Sequence, residues 1–581
     1  MEFDGNDDAP KPPPNAARIV PHFPLFWLLI PQILAFAFCA NAPWFSEIPV
    51  SRWLFAGTLF LFFSVAASVG EHLFSNGKNA PLFAGAWKIC FPIAAFFLFC
   101  TWWDFRTPPL EDWSEKSPRE VAIEFRIEKM FTSSGKNFGG IARAEKISGE
   151  GVGALTGTRI RFSVPKKLFE NAEDVPAEGS FLRAYGVIAG VKETEFLKGK
   201  FLDYLRRERV SAIFSRAESA ELLPRGDSTF FRWCANTKAE LRRKLLEISD
   251  GSAWRERAGR VLGAMLLGDR SLLLPEQKTN FLLTGTMHIF AVSGLHVSIL
   301  AAGALALLHT LRVPRLPAWL AALGALWLYT QIVGAPPSAM RAWAMLVFLF
   351  LGTVFGRGRM AFHGLIFSAF FALAAEPTVL NDTGFRLSYL VVAAILLYGI
   401  PLAEVAGNAV DTERWLPRHA VSFPRKMLAK VRDGAVSGTC ISTAAFLAGT
   451  PIVTAMFGIC SFVSLAANVV LIPLVSIAAW LGAGALVLSC FPWCGVFLGK
   501  MLFAVAAFPL AVIDFGTEMF SKIPGVAELS FPHYAFGIAG SLLLLALFFC
   551  GEILPQLRER SLLRFALPPL ALALFLLVFA Y

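Results

Sequence analysis

Runs of about 18 or more apolar residues recur along this chain, and a helix needs that length to cross roughly 30 Å of hydrocarbon. They fall near 23–40, 52–70 and 84–103, then, after a long gap, near 285–309, 315–334, 338–356, 361–376 and 385–405. Five more follow near 435–456, 459–489, 495–516, 535–553 and 563–580. The 459–489 run is long for one crossing and reads as a broken or re-entrant pair, so the total is roughly 11–14 spans. Composition agrees: of 581 residues, 55% are hydrophobic and 17% charged, against roughly 25% charged in soluble domains. The chain reads as a polytopic α-helical membrane protein.

Loop charge orients it. Residues 1–22 hold four acids against Lys11 and Arg18, the reverse of the basic start of a cleaved signal, so they read as a cytoplasmic tail before N-terminal transmembrane helices at 23–103. The loop 406–433 carries Arg414, Arg418, Arg425, Lys426, Lys430 and Arg432, which places it on the cytoplasmic side. Counting spans back from it puts Arg312, Arg315, Arg357 and Arg359 inside, and a single crossing at 459–489 would put Arg558, Arg560 and Arg564 inside as well. The loops at Pro336 and Asp382 and the segment 104–226 fall outside.

That segment is soluble, with 21 basic and 19 acidic residues and no cysteine. Val121, Ile123, Phe125 and Ile127 alternate with Glu124, Arg126 and Glu128, the period of a half-buried strand. Residues 160–164, 181–191 and 210–223 read similarly, and Gly135, Gly139, Gly140 and Gly157 punctuate turns. About five strands in this length suggest a small all-β barrel, of which the oligonucleotide-binding (OB) type is one option. Its near-neutral balance argues against a strong electrostatic footprint for nucleic acid. Residues 228–268 follow as basic amphipathic helices, eight basic against four acidic residues over 232–260. They fit an interfacial anchor, or a collar for a polyanion. The remainder, 269–581, reads as the main transmembrane domain.

The densest chemistry lies at 265–300. Asp269 and Arg270 follow Gly268, and His288, Ser293, Gly294 and His296 sit in or beside an apolar segment, where polar groups are costly unless they face a cavity or a partner. Ser293 and His296, three apart, share a helix face. A metal site has no third ligand at diagnostic spacing, and a Ser–His nucleophile lacks both the elbow motif and an identifiable acid. No cofactor or metal is expected.

These residues carry a resemblance. Leu267-Gly268-Asp269, His288 and Ser293-Gly294-Leu295-His296-Val297 resemble the hallmark of the ComEC family of DNA-internalisation proteins. Pro337-Ser338-Ala339-Met340-Arg341, Asp382 through Gly384-Phe385-Arg386-Leu387-Ser388-Tyr389, and Asn468 with Pro473 are similar to later segments of that family in the same order. The inserted β domain, with Phe201-Leu202-Asp203-Tyr204-Leu205, sits where family members carry an OB-like domain.

The resemblance implies a channel in the bacterial inner membrane that passes single-stranded DNA into the cytoplasm during natural transformation. Its implied partners are a DNA receptor protein and a cytoplasmic DNA-translocating helicase. Asp269, Arg270, His288, Ser293, Gly294, His296, Ser338, Arg341, Asp382, Arg386 and Asn468 become candidates for the DNA path. From the residues themselves, Arg341 and Arg386 suit either a phosphate backbone or pairing with Asp382. Asn468 suits an interhelical hydrogen bond, and Pro336–Pro337 and Pro473 are expected to break helices. Many family members continue into a β-lactamase-like nuclease domain. The eight histidines here are scattered, with no His-x-His-x-Asp-His arrangement, so no nuclease or other enzyme activity is expected. The alternative is a membrane-embedded hydrolase or small-solute transporter using Ser293 and His296.

Overall fold

The structure is a computed structural model. It describes residues 24–41, 48–73, 86–107, 113, 116–131, 137–149, 151–169, 176, 179–191, 201–202, 205, 208–223, 228–290, 292–355, 361–410, 422–491, 494–529, 531, 534–554, 556–557 and 560–579. The 1–22 tail, Arg357, Arg359, Arg414, Arg418, Arg558, Asp203 and Tyr204 lie outside the described residues.

Three helices, α1 (Pro24–Asn41), α2 (Val50–Leu73) and α3 (Ala86–Arg106), precede the β domain. After it come α4 (Ser228–Ser249), α5 (Ala253–Leu267), α6 (Pro275–Leu283), α7 (Gly294–Thr310), α8 (Arg315–Val333), α9 (Pro337–Val354) and α10 (Ala361–Ala375). The long helix α11 (Thr383–Val410) contains a π-turn at Ile395–Gly399. The chain then runs through α12 (Phe423–Phe457), α13 (Val463–Ser489), α14 (Gly495–Ser521), α15 (Tyr534–Ile553) and α16 (Ser561–Phe579). Among the described residues, ten helices are long and apolar enough to cross a membrane, and Leu28–Asn41, Gly294–Thr310 and Ala361–Ala375 are shorter apolar helices.

Four expectations change. The 459–489 run is not a broken pair: Ile459–Ser461 forms a short strand paired with Val526–Glu528, and α13 follows as one helix. Pro473 lies inside that helix without ending it, the loss of one N–H being tolerated where neighbouring helices satisfy the freed carbonyl. Pro336–Pro337 instead start α9, the helix position where a missing N–H costs nothing. In the segment read as interfacial, α5 buries Ala258, Val261, Leu262, Ala264, Met265 and Leu266 against α13 and α14, sharing a core with Leu471, Val475, Phe503 and Leu510. Its arginines stay at the N-terminal end, leaving the rest of the helix apolar on every side.

The β domain is a closed barrel of β1 (Arg119–Met130), β2 (Asn137–Ser148), β3 (Arg159–Pro165), β4 (Phe181–Gly190) and β5 (Val210–Leu223) in the order β1-β2-β3-β5-β4. The β3–β5 pair is parallel and the others antiparallel, the arrangement of an OB-type barrel. Ile123, Phe125, Ile160, Phe162, Leu182 and Phe214 fill its interior. Strand β2 hides in the sequence because Gly139 and Gly140 read as a turn. A Cβ on Gly140 would meet the Lys129 carbonyl oxygen at 2.1 Å and the Phe162 ring at 2.8 Å, so packing demands glycine there.

Part of the barrel's outer face, over β2, β3 and β5, is covered and paired. Ile141, Arg161 and Ile213 form one cross-strand row. Leu205, Val210 and Phe201 pack over it, with the Arg161 guanidinium 5.2 Å from the Phe201 ring centre. Glu128 accepts from Arg143 and Arg159, each at 2.7 Å, and Lys129 pairs with Glu208 at 3.1 Å.

Candidate functional site

The sequence candidates gather where α7, α9 and α11 begin. Helix α7 opens at Ser293, whose extended backbone (φ −98°, ψ 167°) fits an N-cap. The His296 Nδ1 accepts the Ser293 backbone N–H at 3.3 Å and lies 3.0 Å from the Ser293 hydroxyl oxygen. A neutral imidazole has one donor and one acceptor nitrogen, so accepting at Nδ1 leaves the proton on Nε2. That Nε2–H is buried without a hydrogen-bond partner among the described residues. Gly294 lets the helix start approach α9: a Cβ there would sit 3.2 Å from the Ala342 Cβ.

Helix α9 supplies the second group. The Ser338 hydroxyl donates to the Val292 carbonyl at 2.7 Å, tying the start of α9 to the residue before Ser293. Val292, Val297, Ala301, Leu326, Val333, Ala339 and Ala342 pack around this junction. One turn on, Arg341 is 5% exposed and reaches the start of α11. Its guanidinium donates to the Gly384 carbonyl at 2.7 Å and lies 3.9 Å from the Asp382 carboxylate. It also lies over the Phe385 and Tyr389 rings, at 5.5 and 5.9 Å. Its Nε makes no hydrogen bond among the described residues.

Asp382 caps α11, accepting from the Gly384 and Phe385 N–H groups at 3.3 and 2.9 Å. Arg386 turns back on its own turn, donating to the Leu380 carbonyl at 2.6 Å and the Asn381 side-chain oxygen at 3.0 Å. The starts of α7 and α11 are thus each tied to the start of α9, and a helix N-terminus carries partial positive charge from its aligned peptide dipoles, which Asp382 already caps on α11. A buried arginine and a donor imidazole join them. This arrangement favours an anionic group, as half-helix N-termini do in transporters.

The other candidates form a second layer. Gly268, with φ +68°, ends α5 in a left-handed turn, and Asp269 caps the short turn that follows, pairing with Arg242 at 3.2 Å. Arg270 donates to the Phe290 carbonyl at 3.3 Å. His288 contacts the Gly285 carbonyl at 3.2 Å. Gly285 packs against α13: a Cβ there would lie 2.9 Å from the Ser464 Cβ, and the Ser461 hydroxyl donates to the Leu283 carbonyl at 2.8 Å. Asn468 lies one turn beyond Ser464 on α13, and its side-chain oxygen is buried with no partner among the described residues. The interhelical hydrogen bond expected of Asn468 is thus not made through that atom.

Sequence reading missed Gln277 and Asp514, polar residues inside helices. Asp514 accepts from Arg257 at 3.0 Å and from the fully buried Gln277 at 2.9 Å. A carboxylate directly after a long apolar stretch of helix was the available signal. Lys238 and Lys244, read from the sequence as part of the basic anchor or collar, instead donate to the Val333 and Ser489 carbonyls at 2.9 and 3.0 Å, cations placed on helix C-termini where the dipole favours them. Among the described residues, no group of three or more His, Cys, Asp or Glu side chains is arranged to hold a metal ion. Among the described residues, no carboxylate meets the far ring nitrogen of His296.

Comparison with known proteins places the same region in context. The family described as "Competence protein" matches residues 265–554, which takes in α6–α15 and the groups above other than Lys238, Arg242, Lys244 and Arg257. The "ComE operon protein 3" of Bacillus subtilis (strain 168) is 35% identical over 138 residues, 24% of this chain and 18% of that relative. The aligned stretch is thus less than a fifth of that relative's length. No solved structure matches.

Proposed function

Since this membrane protein belongs with the ComEC-type competence proteins through residues 265–554, and so has a role in competence and DNA uptake, we propose that it is the channel itself. In this reading single-stranded DNA passes the junction of α7, α9 and α11 on its way to the cytoplasm. The observation that carries the proposal is that α9 ties the start of α7 to the start of α11 through Ser338–Val292 and Arg341–Gly384, with a buried arginine and a buried, unpartnered Nε2–H on His296 among these helix starts. Phosphates, one per nucleotide, are the anionic groups such a junction would pass in series, held by N–H dipoles and a buried cation.

A pore must bind weakly enough to release. The 3.9 Å Arg341–Asp382 separation supplies that balance. The carboxylate offsets part of the guanidinium charge, so a phosphate at the junction competes rather than lodges. The OB-type barrel, with the β2–β3–β5 part of its outer face covered and paired, fits a docking or guiding element over the entry. A DNA receptor outside and a DNA-translocating helicase inside are the partners this function requires, and catalysis is not part of it.

Uptake of labelled DNA tests the proposal. A strain lacking the protein should bind DNA at the surface but accumulate no nuclease-protected label in the cytoplasm, and the wild-type gene should restore it. Normal cytoplasmic label in the deletion strain refutes the channel. A covalent adduct on Ser293 formed with a hydrolase probe would support the membrane-hydrolase alternative instead.

A further inference from the structure

We propose that Asp514 is a positioning residue for this junction: from α14 it ties together α5 and α6, the two helices that flank the turn carrying Asp269 and Arg270. The inference rests on the reading of α7, α9 and α11 as the DNA path. Asp514 follows a long apolar stretch of α14, one turn before Glu518, and gives one carboxylate oxygen to each of the two helices that flank the turn. Its Oδ2 accepts from Arg257 near the start of α5, and its Oδ1 accepts from Gln277 in α6. Gln277 then accepts the Leu274 N–H at 3.1 Å through its own oxygen, so the start of α6 is held by the same side chain. The Ser521 hydroxyl, two turns along α14, donates to Asn280 of α6 at 3.2 Å and reinforces the attachment.

The held turn leads directly to the junction. Tyr329 of α8 donates to the Leu266 carbonyl at 2.7 Å, and a Cβ on Gly268 would be 3.3 Å from the Val292 side chain. Arg270 then fixes the Phe290 carbonyl, three residues before Ser293. The path from Asp514 to Ser293 is thus Gln277 and Arg257, then the turn, then Arg270 and Phe290. Hydrophobic packing alone holds α5 against α14 but does not set the rotation of a nine-residue helix such as α6. Two directed hydrogen bonds to one carboxylate do.

Three variants in the full-length protein test this, with uptake of labelled DNA and hydrogen exchange as readouts. Asp514→Ala should cut uptake by about tenfold, the scale of one lost charge-assisted hydrogen bond, and should raise exchange over 265–293 while α15 and α16 keep their protection. Exchanging the pair, with Arg257→Asp and Asp514→Arg together, should recover much of both. Should Asp514→Ala fail to accumulate, Asp514→Asn, which keeps an acceptor for Gln277 but loses the charge, is expected to show a smaller fall in uptake. Wild-type uptake in whichever Asp514 variant accumulates overturns the inference, and so does reduced uptake with unchanged exchange at 265–293. If the wild-type protein itself moves no DNA, the channel reading fails, and the exchange data alone judge the clamp.

Discussion

The Arg341 guanidinium donates to the Gly384 carbonyl at 2.7 Å, joining the start of α9 to the start of α11 across 43 residues of chain. That bond, with the Ser338–Val292 bond on the same helix, makes three separated motifs one site. Arg341→Met should therefore lower stability by about 1.5–3 kcal/mol, the range for a hydrogen bond to a charged group. DNA uptake should fall further than that loss explains. Thermal unfolding and uptake measured on the same variant separate the two, and uptake falling only in step with protein abundance would reduce Arg341 to a structural tie.

His296 makes two roles separable. Its Nδ1 holds the Ser293 N–H, and its Nε2 has no hydrogen-bond partner among the described residues. Gln at this helix position also accepts the N-cap N–H, so His296→Gln should leave melting within about 1 kcal/mol of wild type, the usual weight of a cap. Uptake should nonetheless drop, because the donor imidazole is gone. Full uptake in His296→Gln would show that the ring serves only the cap.

Gly303 sets the approach of α7 to α13. A Cβ there would fall 0.5 Å from a Trp480 ring carbon, and the Trp480 indole donates to the Ile299 carbonyl at 3.0 Å. Gly303→Ala should cost about 1–3 kcal/mol through overpacking, read as a lower melting temperature in detergent. Adding Trp480→Leu should recover part of the loss, and a melting temperature unchanged by Gly303→Ala would contradict the packing.

The barrel carries a pH dependence of known sign. Burial alone would raise the Glu128 carboxyl, but Arg159 and Arg143 together hold it below its ordinary 4.5. A depressed carboxylate adds stability at and above its unfolded value and loses that contribution as pH falls through the folded value. Hydrogen exchange over β1–β3, corrected for intrinsic rates, should show protection falling as the medium is acidified below 4.5. In Glu128→Gln, protection should be lower at neutral pH and change less on acidification. Equal acid sensitivity in both proteins would place the titration elsewhere.

The spans and the barrel were legible in the sequence because each rests on a local period: long apolar runs for α8 or α15, alternation for β1 and β3. The site residues were legible by type, since polar groups at Ser293, His296 and Arg341 stand out in apolar surroundings. Their joining was not, because Ser338–Val292 and Arg341–Gly384 are backbone contacts between distant segments, with no pattern to betray them. Helix α5 misled for a physical reason. Arg255, Arg257 and Arg260 cluster at its start and gave it an interfacial look, while Val261–Leu267 is apolar all round and buried. Asp514 had no local pattern to mark it, standing one turn before Glu518 near the end of a long apolar helix, and only its partners reveal its work.

Photo-crosslinking of DNA in transit tests the central claim most directly. A photoreactive residue at Ser338, beside the junction, should capture labelled DNA in cells actively taking it up. The same residue at Leu574, an exposed side chain on α16, should capture none. Capture at Ser338 that requires uptake and is abolished by Arg341→Met is the predicted result. No capture at Ser338 while DNA still enters the cytoplasm would contradict the account.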